Sequence, residues 1–175
     1  MKYEVRNKAW IGYFILHTSY FILFPGCYSF TGASIPPHIH TIGIPLAEDN
    51  SGYGQSGLRQ NVTDLLIQQF TSEGSLRVAN RPNSDALLES SIPAGGIIDE
   101  PVSVSGAAEV KTKKITLRVH AIYRDQKKQK DFWERDFTET QEYQIASGLT
   151  GLTKALHDAE LQAAKDILIA VISNW

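Results

Sequence analysis

Few residues in this chain combine a reactive side chain with a spacing that chemistry could use. Cys27 is the only cysteine. A lone thiol can be a buried small residue, a nucleophile, or a point of lipid attachment. It cannot close an internal disulfide, and without a CxxC or a Cys/His cluster there is no structural zinc site. His38-x-His40 would share one face of a strand. A zinc site needs three or four ligands, however, and His120 and His157 stand far off with no spacing that marks a centre. No Gly-x-Ser-x-Gly elbow occurs. The glycines of "GYGQSG" (52–57) lack the spacing and the lysine of a phosphate loop. Acidic residues are plentiful, but no pair stands in an apolar setting that would drive one pKa away from the other. The sequon Asn61-Val62-Thr63 falls within a helical pattern. These residues predict no enzyme, no metal site and no cofactor.

One electrostatic feature stands out. Residues 111–130 hold Lys111, Lys113, Lys114, Arg118, Arg124, Lys127, Lys128 and Lys130 against Asp125 alone. A basic zone in a chain of formal net charge −2 suits phosphates or carboxylates, with Arg gripping bidentately and Lys acting as a point charge. The plainer reading is a solvated hairpin whose lysines blunt an edge. The overall charge is too small for general nucleic-acid binding.

The answer for Cys27 comes from what precedes it. Met1–Lys8 carries Lys2, Arg6 and Lys8 against Glu4. Then "AWIGYFILHTSYFILF" (9–24) is apolar but short of the roughly 20 residues a spanning helix needs. A basic start, an apolar middle and a small residue at the cut form a signal-peptide pattern. Here the cut falls at Gly26-Cys27, which reads as a lipoprotein signal: residues 1–26 are removed and Cys27 carries the lipid. Phe24 and Pro25 depart from the usual residues before such a cysteine. Loss of Lys2, Arg6, Lys8 and Glu4 moves the formal net charge from −2 to −4. The alternative is an uncleaved N-terminal anchor with a free thiol.

Residues 27–37 read as a lipid-anchored tether, because Ser, Thr, Gly and Pro36-Pro37 disfavour helix. Residues 38–175 form one domain, a size that can bury a core. In "HIHTIGIPL", His40, Ile42, Ile44 and Leu46 share one parity, which predicts a half-buried strand over 39–46. Leu58, Val62, Leu65, Leu66, Gln69 and Phe70 predict an amphipathic helix over 57–72, stopped by Gly74. Short strands follow at 75–80 and 86–92, with 101–106 continuing after the bend "PAGGIIDE". The clearest strand is 109–124: Ile115, Leu117, Val119, Ala121 and Tyr123 line one face, and Lys114, Thr116, Arg118, His120 and Arg124 the other, interrupted by Ile122. After the turn "DQKKQK", 131–143 returns as the second arm of a hairpin. There Trp133 and Phe137 are core, and Phe132 could serve a partner if it faced outward. A stripe from Leu149 through Leu152, Leu156, Ala159, Ala163 and Ile167 to Val171 predicts a long helix over 148–172. Two helices with one apolar stripe each must cover a sheet face. The expected fold is α+β: a two-layer sandwich with two helices on one face of a mixed, mostly antiparallel sheet of about four strands. One sheet face stays open.

"GCYSFTGASIPPHIHTIGIP" resembles the N-terminal part of the lipopolysaccharide-assembly lipoprotein family (LptE-like), in the form found outside the enterobacteria. The likeness extends through "LRQNVTDLLIQQF", "EPVSVSG" and "VISNW". It implies a two-helix sandwich lipid-anchored through Cys27 on the periplasmic face of the outer membrane. There it would plug and help assemble the lipopolysaccharide-translocating β-barrel (LptD-like), and take part in inserting lipopolysaccharide into the outer leaflet, without catalysis. The charge asymmetry of 109–124, rather than the resemblance, makes Lys114 and Arg118, with His120 nearby, the candidates for lipopolysaccharide phosphates. Two rivals stand beside this reading. One is an envelope scaffold lipoprotein with no glycolipid role; the other is a periplasmic hydrolase or metal enzyme drawing on His38, His40 and His120.

Overall fold

The computed structural model describes residues 35–102 and 111–173. The signal at 1–26, Cys27 and most of the tether lie outside the described residues, as does most of the strand expected at 101–106.

The long hairpin is the spine of the fold. Strand β6 (Thr112–Asp125) and strand β7 (Lys130–Gln144) pair antiparallel along their whole length. The period-two pattern of β6 is kept: Ile115, Leu117, Val119, Ala121 and Tyr123 are buried, and the alternate residues are only half-buried. Against the other edge of β6 lie β4 (Ala86–Ile92) and β5 (Ile97–Pro101), end to end. Pro93, which cannot donate to the ladder, and the left-handed Gly95 (φ +64°) break what would otherwise be one strand. The next row repeats the device. β1 (Thr41–Gly43) and β2 (Glu48–Asp49) both run parallel to β4, separated by Pro45, and β3 (Arg77–Ala79) lies parallel outside β1. The described sheet therefore has seven strands rather than about four. The excess comes largely from two rows being split at proline.

Helix α1 (Leu58–Glu73) is the crossover that parallel neighbours require. It ends on Gly74 in the left-handed region (φ +82°), whose N–H donates to the Phe70 carbonyl, a geometry that costs glycine nothing. Helix α2 (Gly148–Ser173) covers β6, β7 and α1. Its Ala155, Ala159, Ala163 and Ala164 are buried and small, which lets it sit close, while Leu156, Ile167 and Val171 fill the space between. Both helices lie on one face. The α+β two-layer class stands as expected.

Three local expectations fail, each for an identifiable reason, and the condition placed on Phe132 is not met. The strand expected at 39–46 shrinks to Thr41–Gly43. The parity also slips at both ends: Ile39 and Ala47 are buried, His40 is exposed, and Leu46 is 47% exposed. Chain bends at the Pro36-Pro37 turn and at Pro45 reset which side faces inward. Leu149 is 73% exposed, because α2 begins before it reaches the sheet. Phe132 does not face outward. β7 carries a bulge there, with Tyr123 opposite Trp133 and Arg124 opposite Asp131. The extra residue folds back, and its ring stacks on Tyr123 with centroids 4.8 Å apart.

Candidate functional site

The helix-free face of the sheet carries the candidate residues. Lys114, Arg118 and His120 lie on it at alternate positions of β6, as the sequence pattern requires. Their surroundings were not legible in the basic run itself, because the compensating acids come from two other strands, β5 and β7. Lys114 pairs with Glu100 of β5 at 2.9 Å. His120 lies between two carboxylates of β7, with Nδ1 2.7 Å from Asp136 and Nε2 3.1 Å from Glu134. Arg124 is bonded to Asp131 at 2.5 Å, which raises its pKa.

Arg118 differs. Its neighbour on β7 is Thr138, and on its other side lies the bend at 93–96, where its own backbone N–H reaches the Gly96 carbonyl. No carboxylate pairs with it among the described residues. Its guanidinium reaches the Ala94 carbonyl at 3.5 Å, and its Nε is buried without a partner. The candidate trio thus resolves into two compensated groups and one cation whose charge is not matched. Beside it on the same face a groove is lined by Pro45, Leu46, Glu89, Ser91, His120 and Ile122.

A second polar arrangement sits at the turn end of the hairpin and fixes the entry of the chain. Asp85, just before β4, accepts from the backbone N–H groups of His40 (2.9 Å) and Thr41 (3.0 Å) and from the Thr41 hydroxyl (2.9 Å). Its other oxygen meets the Lys127 ammonium at 2.7 Å. The Lys127 bond first, then the His40 N–H, hold its pKa far below the ordinary carboxylate range. Asp125 is fully buried. It takes His38 Nε2 at 2.6 Å and caps the turn by accepting from the N–H groups of Lys127 and Lys128. Burial pushes its carboxyl up, but the His38 and backbone bonds outweigh that and leave its pKa lowered. His38 and His40 are therefore engaged with the start of the fold. No group of three His, Cys, Asp or Glu side chains among the described residues could hold a metal ion.

Sequence reasoning missed one group in the interior. Glu160, on the buried side of α2, is 1% exposed and bonded to Asn61 of α1, with Oε2 left without a hydrogen bond. Burial raises its pKa to about 7. Its place four residues after Leu156 and one after Ala159 was the available signal.

The family model described as lipopolysaccharide-assembly, LptE, matches residues 39–171, nearly all of the described fold. The chain belongs to the LptE family. None of the curated proteins compared with it matches this chain. Among solved structures, rare lipoprotein B from Shewanella oneidensis is similar, with a TM-score of 0.51 and 11% identity over 73% of this chain and 92% of that one. An uncharacterized lipoprotein B from Nitrosomonas europaea gives a TM-score of 0.52 and 17% identity, covering 77% and 83%. A protein from Xanthomonas campestris gives 0.54 and 13%, covering 79% and 89%. At these identities the likeness is one of fold: these proteins share the two-helix sandwich. No helix among the described residues is long and apolar enough to cross a membrane.

Proposed function

We propose that this chain is a non-enzymatic outer-membrane lipoprotein, held at the periplasmic face through a lipid on Cys27. In this reading it binds and helps assemble an LptD-like β-barrel and takes part in delivering lipopolysaccharide to the outer leaflet. The observation that carries the proposal is the family match over residues 39–171. The open sheet face supports it. A face with interspersed charges, threonines and a few uncovered apolar residues such as Ile98 (50% exposed) and Leu46 suits a polar, water-lined partner surface better than a greasy one.

Within the trio Lys114, Arg118 and His120, we assign the main phosphate contact to Arg118. Its guanidinium has no carboxylate to give up, whereas Lys114 must leave Glu100 and His120 must leave Asp136 and Glu134. A charge-assisted bond to phosphate is worth roughly 1.5–3 kcal/mol, so Arg118→Ala should weaken lipopolysaccharide binding by the full-length protein about tenfold or more. Lys114→Ala should have a smaller effect. Unchanged affinity in both variants would sink the assignment.

The rival reading, an envelope scaffold without a glycolipid role, draws on the same ion pairs: half of the basic zone, namely Lys113, Lys114, Arg124 and Lys127, is already paired within the fold. Its test is the wild-type protein, which on that reading has no measurable affinity for lipopolysaccharide.

A further inference from the structure

The β6–β7 turn is built unusually firmly for a lysine-rich loop. Asp125 caps it through the N–H groups of Lys127 and Lys128, and the Gln129 side chain donates to the Gln126 carbonyl at 2.6 Å. Gln129 takes the left-handed backbone conformation, φ +53°. The Gln126 side chain is tied to Ser84 and Arg81. The same turn is bonded to the root of the N-terminal lead: Lys127 Nζ donates to the His38 carbonyl at 3.3 Å, and His38 holds Asp125.

The acids on this end are occupied. Asp85 holds Lys127, Asp125 holds His38, and Asp131 holds Arg124. Lys128 and Lys130 are exposed, and neither forms an ion pair among the described residues. Their charge is uncompensated and points away from the fold on a fixed scaffold.

The length of chain before His38 says what lies nearby. The eleven steps from Cys27 to His38 can span at most about 36–40 Å. If Cys27 carries the lipid, the tether joins the domain to the bilayer at the end where His38 emerges. The β6–β7 turn is that end. Lys114 and Thr112 lie toward the other end of β6, about 36 and 43 Å from Asp125 along a strand that rises roughly 3.3 Å per residue.

We propose that the β6–β7 turn is a membrane-contact surface, with Lys128 and Lys130 meeting the headgroup phosphates of anionic phospholipids in the leaflet that holds Cys27. This rests on the lipid-anchor reading above. It would orient the domain with Arg118 and the Thr112 end of the hairpin turned away from that leaflet.

The test uses the full-length acylated protein in vesicles of phosphatidylethanolamine with a minority of phosphatidylglycerol and a trace of headgroup-labelled acceptor lipid. A fluorophore is placed on Gln129→Cys in one sample and on Gln144→Cys, at the opposite end of β7, in another. Acylation of Cys27 leaves each new thiol as the one available. Energy transfer is expected to be strong at position 129 and weak at 144. Each lysine near an anionic surface should contribute about fivefold to the docked population. Lys128→Glu with Lys130→Glu, and separately raised salt, should therefore sharply reduce the transfer at position 129 and shrink the contrast with 144. Equal transfer at both positions, or a double variant that docks like wild type, would overturn the proposal while leaving the anchor intact. An unmodified Cys27 by mass spectrometry would overturn both the anchor reading and this inference.

Discussion

Glu160 offers a quantitative check on the packing of the two helices. Its carboxyl is 1% exposed between α2 and α1, and burial raises its pKa from 4.5 to about 7. The bond from Asn61 works in the opposite direction but does not cancel the effect. His157, with Nδ1 at 3.6 Å, is the nearest ionisable neighbour. Because the folded pKa is raised, the folded state holds a proton that the unfolded chain has released between about pH 4.5 and pH 7. Stability should fall with rising pH across that window and level off above it. At about 1.4 kcal/mol per unit, the penalty above pH 7 is up to ~3 kcal/mol. Glu160→Gln keeps the volume and the acceptor facing Asn61 but has no proton to lose. It should be roughly isoenergetic with wild type at pH 4.5 and more stable by as much as ~3 kcal/mol at pH 8. Urea melts of both proteins at several pH values measure the difference directly. A gap that does not grow with pH, or a variant destabilised equally at pH 4.5 and pH 8, would refute the argument that a desolvated carboxyl sits in this interface.

Three further outcomes follow from the same packing. Phe70→Ala removes a fully buried ring from the α1 face and should cost about 3–5 kcal/mol in chemical denaturation. Gly43→Ala places a Cβ 2.6 Å from the Ser84 hydroxyl and 3.3 Å from the Arg81 Cα. It should cost about 1–3 kcal/mol, and Ser84→Gly in the same chain should restore part of the loss. Asp85→Asn breaks the pairing with Lys127 and weakens the bonds to His40 and Thr41, at a cost of about 2 kcal/mol at neutral pH. Since the Asp85 carboxyl is held below its ordinary value, wild type should lose this contribution only on acidification below about pH 4, and the variant's acid melt should be flatter there.

Much of the fold was legible because its periodicities are long and regular. Fourteen residues of β6 alternate almost without fault, α1 is bracketed by Gly57 and Gly74, and α2 carries its stripe for most of its length. Legibility fails where a single residue redirects the chain. Pro45 and Pro93 split two sheet rows, the Pro36-Pro37 turn moved Ile39 inward, and the bulge at Phe132 reversed one ring. At the candidate site, residue positions were readable but charge balance was not. The basic run 111–130 is local in sequence, whereas Glu100, Glu134 and Asp136 reach Lys114 and His120 only through strand pairing. For the same reason Arg118 could not be singled out until the bend at 93–96 and Thr138 were seen to flank it. His38 holds Asp125 through its ring and His40 gives Asp85 only its backbone N–H, partners that lie 87 and 45 residues away and that no local spacing announces.

The central claim is that this LptE-family chain works as the lipid-anchored partner of a lipopolysaccharide-translocating barrel. Affinity purification of the full-length tagged protein from detergent-solubilised outer membranes tests it most directly. The account predicts a stable complex with a much larger β-barrel protein in equal amounts, carrying lipopolysaccharide, and surviving stringent washing. Recovery of the chain alone, from membranes in which it is abundant and acylated, would contradict it.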